Sequence, residues 1–250
     1  MPRKPRAPKR RIEGSYPIDT GTATIVALPE RDGAYLLEVN SVPSTQLVID
    51  APRVLDFDYM RWIATALRCW IPEDAAPDVV HLGGAGCALP RFVADVWPRS
   101  HNLVAELDGA LGRLVRDVFD IPPPPRVDIV AVEARKLTHA LSPGATDAII
   151  RDVFFGNTTP AALSAPGFYR AASRALRPGG LYLANVGDRA ELSSVHAELT
   201  AASSSFTHVA AFVPRDFTYG NTVVAASDRP LTALVAALGE LGLRCVGVDC

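Results

Sequence analysis

The stretch Val79-Val-His-Leu-Gly-Gly-Ala-Gly86 ends a short apolar run in three glycines, at positions 83, 84 and 86. Glycines there let a backbone approach a ligand closely, and the helix that follows leaves N–H groups available to it. Glu106 closes the next apolar run, Leu103-Val-Ala-Glu106, 20 residues after Gly86. An acid at that place hydrogen-bonds a ribose hydroxyl in nucleotide-binding α/β folds. Asp108 reads instead as a helix start. Cys87, beside the glycine turn, could have a lowered pKa at a helix N-terminus. No base is paired with it, so a small packing residue is the preferred reading. The histidines at 81, 101, 139, 196 and 208 show no metal-ligand spacing and there is no CxxC pair, so no metal is expected.

Two nucleotide classes compete for such a turn. A dinucleotide site carries GxGxxG, whose third glycine permits tight helix–sheet contact. Here the run is Gly84-Ala-Gly-Cys-Ala-Leu89, with leucine at the third position. The later Leu176-Arg-Pro-Gly-Gly-Leu-Tyr-Leu183 is typical of the turn entering the fifth strand of class I S-adenosylmethionine-dependent enzymes. A sulfonium nucleotide is therefore preferred over NAD.

The elements that must position these residues follow an alternating rhythm beyond Pro77. Strands are predicted over 79–82, 102–106, 127–132, 147–153, 181–186, 206–213 and 221–226. Helices are predicted over 88–96, 109–119, 168–176, 190–201 and 231–241, with a short one between the strands 127–132 and 147–153. This is the pattern of a parallel sheet covered by helices on both sides, with an antiparallel end. Ahead of it, residues 22–29 and 34–40 read as a hairpin around Glu30-Arg-Asp-Gly33, and 46–50 as a third strand. Residues 54–70 have helical apolar spacing. The expected division is a basic tail over 1–15, a small β cap over 16–52 and a Rossmann-like nucleotide-binding domain over 53–250.

Composition narrows the class. Hydrophobic residues are 48% and charged residues 21% of 250, which allows a sizeable core. No apolar run reaches the length that spans a bilayer, and no apolar segment follows the basic start, so neither a membrane span nor a signal peptide is expected. Four cysteines are too sparse for a disulfide framework, which suggests a reduced, cytoplasmic protein. Residues 1–11 hold six basic residues and no acid, so the remainder carries a net charge of about −8. An acidic body argues against nucleic acid as the main ligand, except through the proline-rich tail, which is expected to be disordered.

Together, Leu82-Gly-Gly-Ala-Gly-Cys-Ala-Leu-Pro-Arg91, Glu106-Leu-Asp108, Asp147-Ala-Ile-Ile-Arg-Asp152, Phe168-Tyr169 and Leu176-Arg-Pro-Gly-Gly180 resemble the spermidine synthase (polyamine aminopropyltransferase) family, nearest to its actinobacterial spermidine synthase-like branch. The resemblance runs from about residue 40 to residue 228. It implies a small N-terminal β domain, a class I methyltransferase sheet, a homodimer, and decarboxylated S-adenosylmethionine alkylating a small amine. By the same resemblance Asp152 is the base, Tyr59 lines the substrate cleft, and Gln46, Glu133 and Ala134 join Gly83, Gly84, Gly86, Glu106 and Asp152 around the nucleoside. The chemistry fits, because an amine of pKa near 10 must lose a proton before it attacks carbon beside a sulfonium. Asp152 as a turn cap and Tyr59 as core are the plainer readings, and Arg91 and Arg135 are read as solvated.

The sequence also departs from the family. The second acid of the family's Asp-x-x-Asp is Phe155, the acid of its glycine turn is Gly86, and the pair after the cleft tyrosine is Met60-Arg61. Three carboxylates that would hold a dication are missing, and Arg61 adds a like charge. Loss of a charge partner from a desolvated ammonium costs about 2–5 kcal/mol, which disfavours putrescine. The expected function is thus a spermidine synthase-like aminopropyltransferase acting on an amine. The alternatives are an S-adenosylmethionine-dependent methyltransferase, or an inactive nucleoside-binding scaffold whose basic tail recruits a partner.

Overall fold

The computed structural model describes residues 12–156 and 158–247, so the tail expected to be disordered lies outside them up to residue 11. The first sheet is an antiparallel meander of β1 (Gly14–Ile18), β2 (Gly21–Ala27), β3 (Ala34–Val39) and β4 (Val42–Val48). The strand β1 was not legible. Gly14 and Pro17 weaken its β pattern, and Pro17 is tolerated because β1 is an edge strand. Part of the segment assigned to the tail is therefore strand.

Helix α1 (Asp58–Trp70) buries Tyr59, Ile63, Ala66, Leu67 and Trp70 along one face, the spacing that marked it in the sequence. Its start at Asp58 rather than 54 shortens the expected helix by one turn. The second sheet has the order β12-β10-β11-β9-β8-β5-β6-β7. Its parallel strands are β5 (Asp78–Leu82), β6 (His101–Glu106), β7 (Asp128–Ala131), β8 (Thr146–Arg151) and β9 (Leu176–Arg189). Antiparallel β11 (Tyr219–Ser227) joins β9, followed by β10 (His208–Pro214) and β12 (Leu243–Gly247). The last edge strand, β12, was also missed, because Leu243-Arg-Cys-Val-Gly247 is short, although Gly242 before it takes a positive φ of +83°.

Helices α2 (Ala88–Val96), α3 (Gly109–Val118) and α7 (Thr232–Glu240) lie with α1 on one face of the sheet. On the other face lie α4 (Ala134–Ala140), α5 (Pro166–Ala175) and α6 (Ser193–Ala202). The core of the first face continues through Ile18, Ala23, Ile25, Leu37 and Leu47, so the small sheet shares it. β8 is buried at Ala148, Ile149, Ile150 and Arg151, the continuous burial that a central parallel strand requires.

Polar contacts fix the small sheet to the large one. Asp108 caps α3 by accepting from Leu111 N–H, and it also accepts from Asp19 N–H, Thr20 N–H and the Thr20 hydroxyl at 2.7–3.1 Å. Burial opposes its ionisation, but these four donors outweigh that and hold its pKa below the usual carboxylate value. A carboxyl depressed on folding contributes stability that is present above its unfolded pKa and is lost as pH falls through the folded value. Asp108→Ala is therefore expected to lower stability by about 1–3 kcal/mol at pH 7 and by less near pH 3, as chemical denaturation at the two pH values will measure. Arg91, read as solvated, is buried instead, donating to the carbonyls of Val48 and Ile49 behind β4.

The Leu176-Arg-Pro-Gly-Gly180 turn acts at the opposite edge from the glycine turn. Arg177 bridges Asp78 (2.7 Å) and Asp147 (2.5 Å), tying the beginnings of β5, β8 and β9 together. Cys245 on β12 is disulfide-bonded, against the expectation of a wholly reduced chain.

Candidate active site at the carboxyl ends of the strands

The carboxyl ends of β5, β6, β8 and β9 bring four features together: the glycine turn, Glu106, Asp152 and Asn185. The turn is held by its own protein. Gly83 has φ +88°, and a Cβ there would meet the Asp152 carbonyl oxygen at 2.2 Å. A Cβ on Gly84 would meet Val104 at 2.7 Å, and one on Gly86 would meet Thr45 at 2.8 Å. Gly83→Ala is therefore expected to displace the Asp152 main chain and lower stability by about 1–3 kcal/mol, as thermal unfolding will measure.

The N–H groups of the turn itself are used by the protein. Gly83 donates to Ala105 O, Gly84 and Ala85 donate to Glu106 Oε2 at 3.1 and 3.0 Å, and Gly86 donates to Thr45 Oγ1 at 3.0 Å. Glu106 Oε1 takes the Asp108 N–H. With these donors spent, the N–H groups of Gly83, Gly84, Ala85 and Gly86 are not available to a ligand phosphate. Leu107, between Glu106 and Asp108, leaves 65% of its surface exposed, an apolar platform beside the acid.

Asp152 follows β8 directly and is half-buried. Its Oδ2 accepts from the Tyr59 hydroxyl at 2.8 Å and its Oδ1 from the Asn185 amide at 2.9 Å. Desolvation raises its pKa above the usual carboxylate value, although Asn185, Tyr59 and Arg151 pull the other way. Burial and the neighbouring carboxylate raise the Tyr59 pKa as well, so this group stays a neutral donor. The cleft beside them is lined by Thr45, Met60, Gly83, Gly84, Leu89 and Asp152, among others. His81 also faces it, bonded to Asn102, and burial pushes its pKa down to about 4, leaving it neutral. Among the described residues no three potential ligands group to hold a metal.

The structure thus joins Tyr59, Asp152, Gly83, Gly84 and Gly86 in one place. Gln46 stands apart, because adjacent residues on a strand point to opposite faces and it is Thr45 that meets the turn. Glu133 caps α4, accepting from Arg135 and Lys136 N–H, and Ala134 is buried at the start of that helix. Arg61 adds no charge to the cleft. Its guanidinium binds Asp58 and the carbonyls of Leu55 and Asp56. The thiol of Cys87 is buried and pushed up to about 12, which suits packing. Asn185 was missed, although a lone amide in the apolar run of β9 was the available signal. Nothing in the local sequence marked Thr45.

Strand order and crossover define an α/β fold of the class I methyltransferase type. The sequence matches no protein-family model and no curated protein. Among solved structures, a probable spermidine synthase from Corynebacterium glutamicum is 36% identical, with a TM-score of 0.89 over 94% of this chain and 91% of that one. The chain belongs to the spermidine synthase family. More distant likenesses show the fold alone. Spermidine synthase from Thermotoga maritima is 18% identical with a TM-score of 0.67 over 86% of this chain and 72% of that one. Human methyltransferase-like protein 13 is 16% identical with a TM-score of 0.63 over 74% and 90%.

Proposed function

We propose that the protein binds an adenosine sulfonium nucleoside, decarboxylated S-adenosylmethionine or its parent, and alkylates an amine. The observation that carries this reading is Asp152, a carboxylate held by two neutral donors against a glycine turn whose N–H groups are spent on the protein itself. An uncharged adenosine suits the glycine turn, where the glycines leave no side chain in the way, with Glu106 and the exposed Leu107 at the end of the neighbouring strand as the groups that would face it. Solved relatives in complex with the transition-state analogue AdoDATO and with SAH support the same ligand class.

When bound, the sulfonium supplies an electrophilic carbon and a neutral thioether leaving group. Asp152 takes the proton of the acceptor ammonium, and its raised pKa makes it a stronger base than an exposed carboxylate. Tyr59 and Asn185 fix the carboxylate in position, so little reorganisation accompanies the transfer.

Methyl transfer from S-adenosylmethionine is the second reading, and Gly86 favours it. Its N–H is bound to Thr45 and it carries no acid to repel an α-carboxylate. Calorimetric titration with S-adenosylmethionine, decarboxylated S-adenosylmethionine, methylthioadenosine and NAD separates the cases. Binding of the sulfonium nucleosides but not NAD is expected. Preference for the decarboxylated form supports aminopropyl transfer, preference for the parent supports methyl transfer, and binding of NAD alone contradicts both.

A further inference from the structure

Asp152 divides the carboxyl edge of the large sheet in two. It follows β8, and the strand order around it is β11-β9-β8-β5-β6. The glycine turn after β5 and Glu106 at the end of β6 lie on one side, with β9 and β11 on the other. On that second side β9 runs on past Ala184, the partner of Arg151, to Arg189, which pairs with Tyr219 at the start of β11. The β9–β11 ribbon thus stands beyond the end of β8. Tyr219 is 79% exposed, and Phe155, on the loop after Asp152, is 84% exposed. Among the described residues no other large apolar side chain is as exposed as these two. Three residues of chain reach at most about 11 Å, so Phe155 stays within that distance of Asp152. In the cleft itself, Met60 and Ile150 form part of the wall together with Asp152. Apolar side chains left in water cost free energy that the apolar surface of a ligand recovers, and methionine adapts to bodies of different shape.

Displacement at a sulfonium carbon is in line, so the nucleophile enters opposite the leaving sulfur. With the nucleoside over the glycine turn and Glu106, the acceptor enters from the β9–β11 side, where Phe155 and Tyr219 stand. Resting on the proposed alkylation, we propose that the acceptor is an amine with an apolar body, its nitrogen at Asp152 and its body against Met60, Phe155 and Tyr219. The ammonium gives one proton to Asp152, and the lone pair so freed forms the N–C bond as the C–S bond breaks, its electron pair staying on sulfur. The positive charge passes from sulfur to the alkylated nitrogen, and Asp152 releases its proton to water. The apolar body takes no part in these steps. It holds the nitrogen at the carboxylate and selects the acceptor.

The test compares n-octylamine with n-butylamine at saturating nucleoside, each sulfonium nucleoside in turn, with products followed by mass spectrometry. The two amines share a head group and differ only in chain length, so the ratio of their kcat/KM values reads contact with the body. We expect kcat/KM for n-octylamine to exceed that for n-butylamine by about tenfold or more. Equal values, or preference for n-butylamine, overturn the proposal. Phe155→Ser and Tyr219→Ser, both at exposed positions, should each lower that ratio by about threefold or more. A ratio unchanged in either variant overturns the contact assigned to that residue. Alkylation of both amines without preference rejects the apolar body and leaves the proposed function standing. Nucleoside binding in the calorimeter without alkylation of either amine rejects the amine acceptor itself, whereas no nucleoside binding rejects the proposed function.

Discussion

Asp152→Asn is expected to slow amine alkylation by about 10²–10⁴-fold, the usual worth of a positioned general base, while leaving nucleoside affinity and melting temperature close to those of the parent. The replacement keeps the shape and the neutral contacts of the carboxylate. The Asn185 amide can turn to offer its oxygen instead of its nitrogen, so both side chains remain paired. What is lost is the site for the proton. The same carboxylate shapes the pH profile. Its pKa is raised by desolvation, so the rate should climb with pH through a midpoint above the value of about 3.9 of a free aspartate. On stability the sign is opposite to that of Asp108: a carboxyl whose pKa rises on folding binds its proton more tightly when folded, so ionising Asp152 costs stability as pH rises. Initial rates across pH, together with single-turnover rates for the variant, measure these effects.

Glu198→Ala is expected to be the most damaging single change to stability, by about 3–5 kcal/mol. Arg151 ends β8 with none of its side chain exposed, and Glu198 on α6 is 4% exposed. The guanidinium meets both carboxylate oxygens at 2.7 and 3.2 Å and also donates to Leu163 O at 2.5 Å. Removing the acid strands a buried cation, whose desolvation is then uncompensated. Replacing both partners at once, Arg151→Met with Glu198→Leu, should recover most of the loss, because the cost lies in the orphaned charge more than in the missing attraction. Urea denaturation of the single and double variants provides the comparison. The pair also matters for the site. Arg151 immediately precedes Asp152, and its bond to Leu163 anchors the far end of the loop that begins at Asp152.

Much of the large sheet could be read from sequence because its strands are buried on both faces and appear as apolar runs, as in Ala148 to Ile150 and Ala210 to Val213. The same runs put the glycine turn, Glu106 and Asp152 at strand ends, where side chains of a parallel sheet converge. What spacing could not show was how their polar atoms would be used. Glu106 and Glu133 lie where expected, yet backbone N–H groups occupy their oxygens. Such outcomes depend on turn geometry that residue types alone do not specify. The contacts of Asp152 with Tyr59 and Asn185, and of Thr45 with Gly86, join positions 33 to 93 residues apart. No local pattern encodes these. The short edge strands β1 and β12 were lost for a different reason: their pairing is set by the neighbouring strand, with little β propensity of their own to announce it.

The central claim is that Asp152 moves a proton from an amine that is then alkylated by a sulfonium nucleoside. The most direct measurement incubates the purified protein with each sulfonium nucleoside and n-butylamine and quantifies alkylated amine and thioether nucleoside by mass spectrometry. Equal amounts of the two products are expected, formed only when amine is present and lost in Asp152→Asn. Thioether release without alkylated amine, or product formed as fast by Asp152→Asn as by the parent, would contradict the account.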